Sequence, residues 1–399
     1  MTDATTRFFP RPKVANEGHR VTTFELLFDL VFVFAFTQVT EFMAESHTPL
    51  GVLQALMILS LLWWGWSSYA WLSNQTHVDE GLMRFGMSIS MVAMFVLALV
   101  VPEAFHDLEG GLYGPMVLVV AYAVVRVIHI GLYLVAAGSD TALRNQVLRT
   151  STAMFVSFGL LIVGVLIPQA QTGFWLAAII ADIVLTYLTS TEGSWRLQSA
   201  AHWAERHGLV IILALGESIV SIGVGAAHEA ISVPILLGAT LAILLTISLW
   251  WLYFDVTAIA AEHLLAEQKG AKRAAMATDA YTYLHLLLIS GIVISALGVE
   301  QVIAHASDPE PLGLFGACAL FGGPSLYLAG HAFFWKRVGG TFKPWRLAGG
   351  TVLLALIPLG MLLPALPALA IVVAVCVAVA AVETRRYAEK RARIRETRV

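Results

Sequence analysis

The chain has 399 residues, of which 58% are apolar and only 13% charged, with a mean hydropathy of +0.78 and a formal net charge of −3. Soluble domains carry about 25% charged residues, so this composition excludes a water-soluble enzyme or a nucleic-acid-binding protein. The apolar blocks recur at the roughly 20-residue length of a membrane span.

Residues 1–21 are polar and basic, and the apolar run that follows is long enough to stay in the membrane rather than be cleaved as a leader. Twelve spans are expected, near 22–43, 50–72, 81–102, 114–136, 145–167, 171–191, 209–227, 233–255, 280–303, 312–334, 345–363 and 365–383. Pro102 ends span three, and Pro168 and Pro364 make tight turns within the fifth/sixth and eleventh/twelfth pairs. Residues 192–208 read as a linker, 256–279 as an amphipathic helix prolonging span eight, and 384–399 as a basic helical tail. Cys318 and Cys376 both fall inside apolar segments, which speaks against a disulfide framework.

The cations set the orientation. Arg7, Arg11, Lys13 and Arg20 precede span one, and Arg84 opens span three. Arg144 and Arg149 follow span four, Arg196 and Arg206 follow span six, and Lys269, Lys272 and Arg273 follow span eight. Lys336, Arg337, Lys343 and Arg346 follow span ten; the tail holds the rest, except Arg126, which lies in the middle of span four. The alternate loops hold no Lys or Arg. By the positive-inside rule both termini are expected in the cytoplasm. The opposite loops carry Glu41, Glu45, Glu103, Asp107, Glu109, Glu229, Asp308 and Glu310. They read either as simple avoidance of cations or as a negative mouth that concentrates them.

Four features recur in the same order in both halves. LLWWGW (61–66) matches SLWWLY (248–253), and GVLIP (164–168) matches GMLLP (360–364). Arg149 corresponds to Arg346, and Asp79 to Asp279. The fold class is therefore an all-α polytopic membrane protein of two parallel six-helix repeats, 22–191 and 209–383, related by an axis along the membrane normal. Such an axis offers a central interface for a permeation path, or serves only to build a stable bundle.

Ionisable groups at bilayer depth are costly and mark function by default. Glu25 and Asp29 lie four apart on one face of span one. Asp182 is central in span six and Glu217 in span seven, Arg126 and His129 share a face of span four, His285 starts span nine, and His331 is late in span ten. Arg126 needs a buried counter-charge, with Asp29, Asp182 and Glu217 as candidates. The set reads as a static packing pair or as a relay of carboxylates and histidines that gates transport. Gly216, Gly223 and Gly225 are expected to let backbones approach, and Tyr69 and Trp71 to sit in an interfacial belt. The tryptophan pairs, Trp63 with Trp64 and Trp250 with Trp251, are expected to lie between helices. No catalytic triad, nucleotide loop, metal motif or cofactor motif is visible.

FELLFDLVFVFAFTQVT at the first span resembles the opening signature of the bacterial low temperature requirement A (LtrA) family. LALGESIVSIGVG (213–225) and GIVISALGVE (291–300) resemble its further motifs. That resemblance implies a polytopic protein of the bacterial inner membrane and little about chemistry. FDLVFVFAFT (28–37) is also similar to the first-helix signature of the endolysosomal potassium/proton channel family, though Leu27-Phe28-Asp29 lacks its serine and span seven has Gly216-Glu217 in its place. This second likeness implies pore-lining positions around Val31, Phe34, Ala35, Thr37 and Gln38, with Ser218 and Ser221 in span seven.

The expected function is transport of a small cation or solute, by a channel or a proton-coupled carrier, along a path between spans one and seven. Glu25, Asp29 and Glu217 would carry charge and Arg126 would balance it. The other readings are a membrane enzyme or lipid-binding protein, and a stress-linked sensor or scaffold. The expected partners are the lipid bilayer, a small ion or solute, and a second copy of the chain.

Overall fold

In lipid every backbone N–H and C=O must be satisfied within the chain, which leaves helices as the economical solution for segments this apolar. The computed structural model describes residues 13–190, 195–227, 230–389 and 391–392. Among the described residues the regular elements are helical, with two isolated bridges, Val14 with Thr76 and Pro311 with Pro364. Arg7, Arg11, Glu229 and the tail from Arg393 lie outside the described residues.

The helices are α1 Thr23–Ser46, α2 Pro49–Gln75, α3 Gly81–Leu99, α4 Gly114–Ala137, α5 Thr141–Leu166, α6 Gln171–Ser190 and α7 Ala200–Ala226. Then follow α8 Val233–Phe254, α9 Thr257–Glu267, α10 Gly270–Met276, a π-helical stretch Ala277–Tyr283, and α11 Leu284–Ala304. The last three are α12 Gly313–Gly339, α13 Pro344–Gly360 and α14 Ala365–Arg386. Among the described residues eleven helical stretches are long and apolar enough to cross a membrane, and α13 is a shorter apolar twelfth. The protein is a polytopic membrane protein. Pro102 lies in a short 3₁₀ turn that begins at Val101, Pro168 starts another, and Pro364 caps α14, so these prolines do mark helix ends. The segment after span eight is helical, with breaks at Asp255–Val256 and at Gln268–Lys269.

The chain forms two compact units. One holds the residues through Phe42, Leu50–Arg206 and Gln268–Ala275; the other holds Met43–Pro49, His207–Glu267 and the residues from Met276 onward. Helix α7 contributes its first seven residues to the former and the rest to the latter.

In the second unit, α11 and α12 lie in close backbone contact. Gly291 and Gly298 are seven apart on α11, and Gly323 and Gly330 seven apart on α12, so each pair lines one helix face. A Cβ on Gly298 would fall 2.5 Å from Leu320 Cα, and one on Gly291 would fall 2.5 Å from the Tyr327 nitrogen. Small residues of this kind let membrane helices approach. Gly298→Ala is therefore expected to force the helices apart and cost about 1–3 kcal/mol, read as a lower thermal midpoint in detergent.

In α7, Gly225 meets the Glu300 carbonyl in the same way, but Gly216 and Gly223 face open space. The expectation of close approach at those two positions is corrected. Three aromatic placements also change. Tyr69 is fully buried, its hydroxyl donating to the Val125 carbonyl, and is not a belt residue. Trp250 and Trp251 are 42% and 38% exposed, in the last turns of α8 rather than between helices. Trp63 and Trp64 are buried as expected.

Candidate functional site

The first helix begins with a capping box. Thr22 precedes α1, its hydroxyl accepts from the Glu25 N–H at 3.3 Å, and Glu25 Oε2 accepts from the Thr22 N–H at 2.9 Å. This reciprocal pair satisfies two of the amides that a helix start leaves orphaned. It also fixes the Glu25 carboxylate at the mouth of α1, one turn before Asp29.

Both carboxylates are buried, and both are met by Arg206 of α7. Its NH1 donates to Glu25 Oε1 at 2.7 Å and its NH2 to Asp29 Oδ1 at 2.7 Å. The guanidinium carbon stands 5.5 Å from the Trp66 ring centroid, and the Trp66 indole N–H donates to Asp29 Oδ1 at 2.9 Å. One planar fork thus ties two acids and a ring together, a geometry that suits arginine and not lysine.

His202 lies one turn before Arg206 and completes the cluster. The Asn74 amide oxygen accepts from the Gln198 N–H at 2.8 Å, and its nitrogen donates to the Ser199 carbonyl at 2.8 Å and to His202 Nδ1 at 3.2 Å. That fixes His202 Nδ1 as an acceptor, so its Nε2 carries the hydrogen and donates to Glu25 Oε1 at 2.9 Å. His202 is accordingly neutral, and the cluster holds two carboxylates against one guanidinium. The spare valence is localised: Asp29 Oδ2 is buried and has no hydrogen-bond partner.

His19, just ahead of α1, stacks on His202 at 4.5 Å between centroids and lies 4.6 Å from the His77 ring. The ligand atoms of His19, Glu25 and His202 fall within 4.8 Å of one another, close enough for a metal ion. The bonding runs against that use. Glu25 already accepts four donors, two from Thr22 and one each from His202 and Arg206. The guanidinium also supplies the positive charge a metal would bring. The group is a hydrogen-bonded acid–arginine network.

Burial is the largest cause holding His19 down to about 4. The ordinary value is 6.5, so between these limits the unfolded chain binds the extra proton. Stability from His19 is therefore complete above about 6.5 and is lost as pH falls toward about 4. His19→Asn is expected to remove part of that decline, seen by comparing thermal midpoints of the two proteins from pH 7 to pH 4.

The remaining predicted residues fall into separate groups. Arg126 donates to the Ser68 hydroxyl at 2.7 Å and pairs with Asp182 at 3.5 Å. His129 lies beside Tyr69 and Tyr133, both 5.4 Å between centroids. Arg126 thus balances Asp182, and the expectation that it also balances Asp29 is corrected: Arg206 does so. Arg206 had read as a loop cation, but α7 begins at Ala200 and carries it inward. The spacing His202-x-x-x-Arg206 ahead of an apolar run was the available signal.

In the second unit, the buried Glu217 of α7 accepts from Ser221 at 3.3 Å, and the Ser218 hydroxyl is buried without a hydrogen-bond partner. His285 Nε2 meets the Tyr253 hydroxyl at 2.8 Å. His331 Nδ1 faces Arg346 NH1, which can only donate, so His331 is an acceptor and neutral. Arg346, also read as a loop cation, is buried: its NH2 donates to Glu383 at 2.8 Å and to the Leu252 carbonyl at 2.9 Å. Of the pore candidates in the first unit, Phe34 stacks on Phe95 at 5.2 Å, Thr37 donates to its own helix at Val33, and Gln38 donates to Glu41 at 3.1 Å.

The model of the bacterial low temperature requirement A protein family (LtrA) matches residues 20–381. The uncharacterized protein RA0937 of Rhizobium meliloti (strain 1021) is 30% identical over 344 residues, 83% of this chain and 80% of its own. No solved structure matches.

Proposed function

The chain belongs to the bacterial low temperature requirement A family, and from that premise we propose that it is a membrane transport protein. It moves a small cation or solute as an ion channel or a proton-coupled carrier, in the bacterial cytoplasmic membrane. One observation carries this reading. A buried cluster of two carboxylates and one guanidinium leaves Asp29 Oδ2 without a donor. A surplus negative charge in an apolar surround favours uptake of a proton or a cation. Asp29 is the group that takes it, and Arg206 and Trp66 hold it in place. The absence of Lys and Arg from the opposite loops supports cytoplasmic termini, and the four ordered sequence matches support two parallel six-helix repeats.

Flux from proteoliposomes loaded with potassium and a pH-sensitive dye tests the reading. Asp29→Asn keeps an oxygen for Arg206 and Trp66 but removes the surplus charge, so it should fold and lose most of the flux. Equal flux in the variant would remove Asp29 from the path. Wild-type vesicles that pass neither protons nor cations would overturn the channel reading and leave carriage of a solute to a substrate screen.

A further inference from the structure

The acids bound by Arg206 are buried, yet a row of titratable groups leads to them from outside the helices. His19 precedes α1, and His77 and Asp79 follow α2. His77 and Asp79 are half-buried beside the exposed Glu80, whereas His19 is buried. The His19 ring lies 4.6 Å from that of His77 and 4.5 Å from that of His202. The titratable groups around it are therefore His77, Asp79, His202 and Glu25.

Two atoms of this row are unused. His19 Nε2 and Asp79 Oδ1 are both buried with no hydrogen-bond partner. Such atoms are rare in folded proteins and call for a role or an ordered water. His202 is different, because Asn74 holds its Nδ1 and Glu25 its Nε2. It is locked in one tautomer and cannot pass a proton through its ring. His19 stacks on it with a nitrogen to spare. The ligand atoms of His19 and Glu25 lie within 4.8 Å of each other, a gap that one water with two bonds of about 2.8 Å spans. Glu25 in turn stands one turn before Asp29 and shares the Arg206 guanidinium with it.

We propose that His19 is the proton carrier of this site, taking protons from His77 and Asp79 at the membrane face where α1 begins and passing them through one bridging water to Glu25 and Asp29. The proposal rests on the transport reading and commits it to protons. An imidazole suits the step because it accepts a proton on one ring nitrogen and releases the proton of the other. Burial keeps the affinity of His19 for a proton low, so the charge moves on to the acids rather than resting on the ring.

Proton flux into proteoliposomes holding a pH-sensitive dye, driven by an imposed membrane potential, tests it. His19→Ala is expected to cut the wild-type flux about 100-fold, the low end of what a placed proton-transfer group contributes. Millimolar imidazole should restore much of that flux by occupying the space of the missing ring. Asp29→Asn should lose flux that imidazole does not restore. His77→Gln, a change at a half-buried loop position, should slow the flux several-fold at an unchanged thermal midpoint, and it decides alone if His19→Ala does not fold. Undiminished flux in either histidine variant would overturn the proposal. A loss in folded His19→Ala that imidazole leaves in place would make the ring structural and overturn it too. Wild-type vesicles that pass potassium but no protons would overturn the carrier and leave the transport reading standing, whereas vesicles that pass neither would overturn the carrier and the channel reading together.

Discussion

Arg206→Met is expected to abolish accumulation of folded protein. The substitution leaves Glu25 and Asp29 facing each other's charge in a buried site, with only the neutral donors of His202, Thr22 and Trp66 to hold them. Breaking a buried ion pair from one side costs about 3–5 kcal/mol, a large share of the roughly 5–15 kcal/mol that holds a typical protein folded. Arg206→Lys should fall between, because a single ammonium cannot reach both Oε1 of Glu25 and Oδ1 of Asp29 in the planar geometry of the fork. The informative variant is the triple Arg206→Met, Glu25→Gln, Asp29→Asn. It removes every charge together and should recover most of the lost stability, because the penalty belongs to the uncompensated acids and not to the missing arginine. Yield and thermal midpoint from fluorescence-detected size exclusion measure all three. A single Arg206→Met protein as stable as wild type would show that the pair contributes nothing.

The second large effect is expected at Arg346. This side chain joins α13 to α14 through Glu383, to α12 through His331, to the last turn of α8 through the Leu252 carbonyl and to the start of α9 through Thr257. Arg346→Met strips donors from four groups at once and leaves Glu383 without its cation. The expected loss is again about 3–5 kcal/mol. It should be larger than that of Lys343→Gln, which lies nearby but is half-exposed. Pairing Arg346→Met with Glu383→Met should restore much of the midpoint, while the carbonyl of Leu252 loses one of its two donors, keeping only the Thr257 hydroxyl at 3.2 Å, and keeps the recovery incomplete. Full recovery would mean that the backbone contact carries no weight.

Much of the architecture could be read in advance because membrane helices obey rules of length and composition. Boundaries such as 114–136 against Gly114–Ala137 differ by a single residue. Arginine placement was harder. Arg206 and Arg346 flank apolar runs, and the positive-inside rule assigns any such cation to a loop. Whether the helix continues past it depends on a carboxylate elsewhere in the fold, Glu25 for one and Glu383 for the other, at sequence separations of 181 and 37. No local pattern contains that information. The capping box was legible in Thr22-Thr23-Phe24-Glu25, and it would have placed Glu25 at the start of the helix. The glycine faces were legible too, since Gly291 with Gly298 and Gly323 with Gly330 each repeat at seven. Span seven drew attention instead because its glycines are denser, yet two of the three meet nothing.

The distance along the chain between Asp29 and Arg206, 177 residues, has a consequence for biosynthesis. At the roughly 5–20 residues per second of translation, Arg206 leaves the ribosome about ten to thirty-five seconds after Asp29. Five further spans are made in that interval. The first helix must therefore wait in the nascent membrane assembly with two acids and no cation, protonated or held at the headgroups. Its final seat is set only when α7 arrives. Translation stalled in the α6–α7 connection should yield a nascent chain whose first helix is still accessible to aqueous probes.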